Sequence, residues 1–305
     1  MSQESATQKG YYFAILAFLM WGLAPIYFKQ IDFIGAVEIL VHRVIWSALF
    51  IAIIIVLLKQ WHKVQHIVKK PKLMIMLCIS ACLLGFNWGL FIWAVNNGHM
   101  LDASLGYYIN PLLNVLLGML FLAERLRKWQ LVAVGLAVVG VVIQVVSFGS
   151  FPVVAFALAC SFAVYGLIRK KVPVESLPGL LLEAAILLPF AVAYWFFASP
   201  TATSDLTVNS NAVNILLISA GIVTTLPLLC FTAAAKRIPY STLGFFQYIG
   251  PSLMFVLAVV FYGEEFSAQR IVTFAFIWGA LALFSWDSYQ WARKARKQKK
   301  ALQQS

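Results

Sequence analysis

The sequence predicts an all-α integral membrane protein whose ten transmembrane helices form two inverted five-helix repeats. Three observations carry that prediction. First, 62% of the 305 residues are hydrophobic and 11% are charged, with a mean hydropathy of +0.87. A soluble domain is about 25% charged, and most of a folded surface must meet water. A soluble enzyme, a disordered chain and a disulfide scaffold are therefore excluded. Second, ten apolar runs reach the roughly 17–25 residues that a bilayer crossing needs. Third, a proline–glutamate arm occurs in both halves: Pro111 and Glu124 recur as Pro251 and Glu264, each at an offset of 140 residues.

The ten spans fall at 10–28, 34–58, 73–95, 103–122, 129–148, 151–168, 177–198, 213–235, 240–262 and 271–289. The first is too long for the apolar core of a signal peptide and lacks a small-residue cleavage site, so it reads as a retained helix. Spans 3 and 4, 5 and 6, and 8 and 9 are joined by very short loops. Pro152 suits the first turn of span 6. Cys78, Cys82, Cys160 and Cys230 all lie within apolar runs and read as small packing residues.

Orientation follows from the basic residues, which favour the cytoplasmic side. With a cytoplasmic N-terminus, 20 of the 23 Lys and Arg fall on that side and two, Lys29 and Arg270, on the other; Arg43 lies within a span. Clusters between apolar runs are the pattern of membrane orientation, so the net charge of +12 does not point to nucleic acid. Both termini are expected in the cytoplasm, the basic tail beside anionic headgroups or solvated.

The arms extend beyond the proline and glutamate. Ala103–Gly106 resembles Ser241–Gly244, and Glu38 and Glu183 each follow a glycine by a few residues, Gly35 and Gly179. Five spans per half is an odd number, so the second half enters from the opposite side, as in many secondary transporters. The expected division is 1–148 and 149–305, the second unit carrying the basic tail.

These residues carry a resemblance. WGLAP at 21–25 together with the two arms resembles the drug/metabolite transporter superfamily with two EamA-type repeats. The strings EILVHRVIW (38–46), FIWAVNN (91–97), SLGYYINP (104–111) and TLGFFQ (242–247) resemble the RarD family of bacterial inner-membrane permeases. The resemblance covers nearly the whole chain. It implies a small-molecule permease, an exporter by preference, of the type labelled chloramphenicol-sensitive. It also implies a central cavity lined mainly by spans 1, 3, 4, 6, 8 and 9.

Candidate binding residues are the polar and aromatic groups inside spans. Tyr107, Asn110 and Asn114 share one face of span 4, where unpaired amides facing lipid would be costly. Gln247 and Tyr248 stand at the 140-residue offset from Tyr107 and Tyr108. Asn87 and Trp88 in span 3 and Trp21 in span 1 complete the set, with Trp93, Asn96 and Asn97 nearer a membrane face. Rings that stack and amides that orient suit an amphipathic or aromatic solute; interhelical hydrogen bonding is the competing reading. Intramembrane Glu38, His42, Arg43 and Glu183 are candidates for proton coupling or for holding an anionic group, or are buried ion pairs. Glu38 and His42 are spaced to pair, and Glu183 reads as a lone carboxylate. Glu124 and Glu264 stand where one helix ends and are expected to cap the helix that follows. His62 and His66 lie in a loop without a third ligand, so no metal is expected. No nucleotide loop or nucleophile–base pair occurs, so neither a cofactor nor catalysis is expected. An integral-membrane enzyme and a non-transporting scaffold or sensor are the alternatives. The expected partners are a small-molecule solute and the bilayer, with no nucleic acid and an open oligomeric state.

Overall fold

Apolar runs in a bilayer must bond their backbone internally, and helices are the way to do so. The computed structural model describes residues 3–97, 99–149, 151–197, 206–261 and 268–304, and these are helical throughout apart from short links. The helices are α1 (Gln3–Phe28), α2 (Ala36–Leu57), α3 (Trp61–Val68), α4 (Pro71–Asn96), α5 (Met100–Leu122), α6 (Lys128–Phe148), α7 (Val153–Lys171), α8 (Ser176–Phe197), α9 (Asn211–Ala235), α10 (Tyr240–Gln247), α11 (Ile249–Val256) and α12 (Ala268–Gln304). Ten segments are long and apolar enough to cross a membrane, α10 and α11 with a π-helical turn forming one of them. The protein is a multi-pass membrane protein.

Most helix ends have local causes. Pro71 opens α4 where its missing N–H costs nothing. The Ser210 side chain accepts from the Val213 amide at the start of α9. At the end of α6, Gly149 takes the left-handed conformation with φ +80°. Ala123 does the same at the end of α5 with φ +52°, where a side chain makes that conformation costly by roughly 1–2 kcal/mol.

Three expectations about elements are corrected. The ninth span is interrupted: Pro251 has no N–H to offer the Gln247 carbonyl, and α10 gives way to α11 at Tyr248. Pro25, Pro111, Pro189 and Pro227 sit inside continuous helices. The loop with His62 and His66 is largely the helix α3, which buries Val64 and Ile67 on one face. The last helix runs on to Gln304 instead of ending with the span.

The helices pair in a regular way. Spans 5 and 10 (α6 with α12), 4 and 9 (α5 with α10), and 2 and 7 (α2 with α8) lie side by side. Span 1 packs on spans 8 and 9, as span 6 packs on spans 3 and 4. Span 2 also meets span 8, as span 7 meets span 3. Exchanging each span for the one five places along therefore reproduces these pairings. Two close approaches fix the framework. A Cβ on Gly221 of α9 would collide with the backbone of Trp46 and Ser47 in α2. One on Gly244 of α10 would lie 2.7 Å from the Pro111 carbonyl oxygen of α5.

The loops rich in lysine and arginine gather at one end, where they are tied together. Lys63 binds Glu175 at 2.7 Å, and Arg127 binds Asp287 at 2.5 Å. Lys170 donates to the carbonyls of Ala235 and Ile238 at 2.8 and 2.6 Å, at and just beyond the end of α9. In return Lys236, just after α9, donates to Val172 and Val174 beyond the end of α7. Each lysine thus satisfies carbonyls that the neighbouring helix leaves open. Burial, reinforced by Arg169 and opposed by Glu175, lowers the Lys236 ammonium to about 8.

Candidate solute cavity

Between α2, α4, α8 and α9 the packing leaves a narrow cavity of about 20 Å³, room for about one water. Its wall is mostly aliphatic, with Val44, Ile51, Leu84, Leu187 and Leu228 among the lining residues. Ser47, Thr224, Thr225, Trp88 and Glu183 interrupt that wall. The cavity thus belongs to spans 2, 3, 7 and 8, of which only 3 and 8 were expected. The reason is local: the amides of span 4 are bonded into helix contacts, while spans 2 and 7 face each other across the centre.

Glu183 is not a lone carboxylate. It is 1% exposed and lies 3.6 Å from Nε of Arg169, itself 0% exposed. The Ser80 hydroxyl also donates to it, and the Tyr165 hydroxyl does so at 3.4 Å. Arg169 was assigned by its sequence neighbours to a basic loop, but it lies within α7 with its guanidinium pressed on Gly179 of α8. A side chain on Gly179 would occupy that guanidinium's place. Glycine at this point is what admits the arginine between two helices.

Arg43 occupies the cavity's edge. Its Nε donates to the Thr224 hydroxyl at 2.8 Å. Its guanidinium stands 5.0 Å from the Trp88 ring and 5.5 Å from the Phe28 ring. Tyr107 and Tyr27 lie close enough to influence its charge. Tyr27 itself donates to the Leu216 carbonyl, and Tyr107 is 39% exposed, its ring 6.5 Å from Phe91. Among the described residues no carboxylate pairs with Arg43, and its terminal amino groups make no hydrogen bond although they are not sealed in. An arginine at mid-helix in a membrane costs about 2.5–3.5 kcal/mol. The two cation–π contacts offset part of that cost, between about 0.5 and about 2 kcal/mol each according to how far water is excluded, and the Thr224 bond adds to them.

The other expected residues are placed as follows. Asn110 donates to the Ala159 carbonyl of α7 at 2.6 Å. Asn114 donates to Asn110 at 3.2 Å and to Gln247 at 2.8 Å, so one chain of amides joins α7, α5 and α10. Asn87 binds the Leu158 carbonyl and the Ser161 hydroxyl, at 2.8 and 2.9 Å. Tyr248 donates to the Tyr108 carbonyl. Trp21 sits in a ring cluster with Phe18, Phe162 and Phe231, the last stacked on Tyr165. His42 is 2% exposed; its Nδ1 accepts from Trp46 at 3.1 Å and its ring meets Trp195. The Nδ1 acceptor makes it a neutral imidazole protonated at Nε2. Glu38 stands in the first turn of α2, where a carboxylate favours the helix start. Trp93 is partly exposed and stacks on His99, and Asn97 binds the Trp93 carbonyl. The Asn96 side chain lies outside the described residues.

Glu124 does not cap the helix that follows it. Its carboxylate accepts from the amides of Tyr240 and Ser241 at 2.6 and 2.8 Å, and from the Ser241 hydroxyl at 2.7 Å. It therefore caps α10, in the other half of the chain. Glu264 lies outside the described residues.

Comparison with known proteins agrees with this architecture. The model of the EamA-like transporter family matches residues 8–146. An uncharacterized transporter of Vibrio cholerae is 56% identical over 96% of this chain and 97% of its own. Protein RarD of Escherichia coli K12 is 54% identical over 95% and 98%. The chloramphenicol-sensitive protein RarD of Pseudomonas aeruginosa is 30% identical over 94% and 96%. One solved crystal structure, 21% identical, superposes with a TM-score of 0.69 over 93% of this chain and 98% of that one, a likeness of fold. Near full-length identity on this scale, with ten membrane helices and a polar-studded cavity between them, places the chain in the RarD family of EamA-like membrane transporters.

Proposed function

We propose that the protein is a secondary transporter that exports small organic solutes across the bacterial inner membrane by alternating access. The observation that carries this reading is that α2 and α4 from the first half and α8 and α9 from the second line one narrow cavity together. Polar and aromatic groups inside a membrane are tolerated where they serve a path or a site. The halves 1–148 and 149–305 are the two inverted repeats, and the reciprocal pairing of the spans supports that relation. The basic end faces the cytoplasm with both termini, supported by the 20-to-two partition of lysine and arginine.

At that end the Glu124 cap on α10 crosses between the halves, and the Lys170 and Lys236 contacts close α7 against α9. These contacts tie the helix ends together at the basic end, and their release is the step that admits solute from inside. Energy comes from an ion or solute gradient. The name of the Pseudomonas relative makes chloramphenicol the first compound to test.

The test is counterflow in sealed proteoliposomes, with a panel of labelled amino acids, aromatic acids and chloramphenicol, with and without a pH gradient. Saturable exchange of one class supports the reading. Absence of exchange across the whole panel, with the protein folded and inserted, counts against it.

A further inference from the structure

We infer that Arg43 is the anion-binding point of the solute path, and that the solute carries a carboxylate beside an apolar body. The inference deepens the transport reading and rests on it for the word solute; the binding site itself does not.

Three observations converge. Arg43 stands seven residues into α2, roughly 10 Å along it, well inside the apolar layer. Its guanidinium is fixed by one bond from Nε to Thr224 and by the faces of Trp88 and Phe28, which leaves the two terminal amino groups free to donate. Tyr107 and Tyr27 are its near neighbours, and no described carboxylate neutralises the charge. A fork of two parallel donors matches the two oxygens of a carboxylate, and such a pair is both stronger and more directional than a neutral hydrogen bond.

The surroundings specify the rest of the molecule. Thr224 and Trp88, the two groups that hold Arg43, also line the cavity, so a carboxylate on the guanidinium lies beside that space, which has to widen to take the rest of the molecule. There the wall is aliphatic, with Val44, Leu84 and Leu187. An anion without an apolar part would leave this surface wet, and an apolar molecule without an anion would leave Arg43 unpaired. Glu183, the other charged group on the cavity, is already matched by Arg169, so it does not act as the counter-ion of Arg43.

The test uses the purified full chain in nanodiscs, with benzoate, benzamide and benzylamine as probes at matched ionic strength. Thermal unfolding and quenching of tryptophan fluorescence report binding. Benzoate is expected to raise the melting temperature saturably, while benzamide and benzylamine do not. Arg43→Gln is expected to weaken benzoate at least about tenfold. Tyr107→Phe, which keeps the ring and the charge, is expected to weaken it several-fold and covers the case in which Arg43→Gln does not fold. The inference is overturned by no benzoate response in the unaltered protein, by equal responses to benzoate and benzamide, by chloride or phosphate reproducing the effect, or by a folded Arg43→Gln protein that responds normally. Arg43-dependent benzoate binding without flux in proteoliposomes would leave this site standing and remove the transport reading. Flux of neutral or cationic solutes that ignores benzoate would do the reverse.

Discussion

The Tyr248 hydroxyl donates to the backbone carbonyl of Tyr108 at 3.3 Å, and the two residues are 140 positions apart. That separation is also the spacing of the proline–glutamate arms. A contact between positions at that offset is what the proposed repeat relation predicts where α5 meets the segment that follows α10.

Tyr248→Phe is expected to lower stability by about 0.5–1 kcal/mol, the value of one interhelical bond in a membrane. Thermal unfolding in detergent checks it. Unchanged stability would mean that the ring, and not the hydroxyl, holds this contact.

The Glu124 cap predicts a graded series. Glu124→Ala removes three acceptor contacts at the start of α10 and is expected to cost about 1–2 kcal/mol. Glu124→Gln retains one amide oxygen and is expected to cost less. Thermal unfolding of both proteins gives the order, and equal values would remove the cap from the account.

Breaking the Glu183–Arg169 pair leaves one charge buried. Arg169→Met and Glu183→Gln are each expected to destabilise by roughly 3–5 kcal/mol, and the double replacement by less than their sum. A double-mutant cycle measures this. Unchanged pH dependence of transport in Glu183→Gln would end any role of this carboxylate in proton coupling.

The chain of amides behaves differently. Asn114→Ala cuts the bonds to Asn110 and Gln247 and is expected to cost about 1 kcal/mol in stability while solute affinity stays near its original value. A titration that loses affinity more than tenfold would return Asn114 to the binding surface.

Lys236 predicts a pH effect with a definite sign. Burial holds its ammonium at about 8 against an ordinary 10.5. Within that window the unfolded chain binds more protons than the folded one, so this residue's contribution rises with pH from about 8 to about 10.5 and is lost below. Lys236→Arg never deprotonates there. The melting temperature of the unaltered protein should therefore gain on that of Lys236→Arg between about pH 7 and about pH 10.

The spans were legible because hydrophobic length is a one-dimensional signal, and their ends fell close to the observed helices. The helix α3 also left a readable trace, since Trp61, Val64 and Ile67 recur at three-residue steps. Arg169 was hidden by its neighbours: in the run Arg169-Lys170-Lys171 composition says loop, and only the packing of Gly179 shows a cation turned inward. The partners of Glu124 lie 116 and 117 residues away, beyond any local pattern. Asn110 and Asn114 were correctly read as needing polar company, but a sequence cannot say whether that company is a wet cavity or another helix. Arg43 was conspicuous as a lone intramembrane charge, while the rings that flank it come from α1 and α4.

The contact of Gly221 with the Trp46–Ser47 backbone has a mechanical meaning. Two rods whose main chains touch cannot slide past each other without separating, so α2 and α9 travel as one piece although they come from opposite ends of the gene product. The rigid bodies of any transport cycle must then be woven from both sequence halves. Cutting the polypeptide at Gly149 should yield two fragments that are inert when made singly and recover activity only when made together.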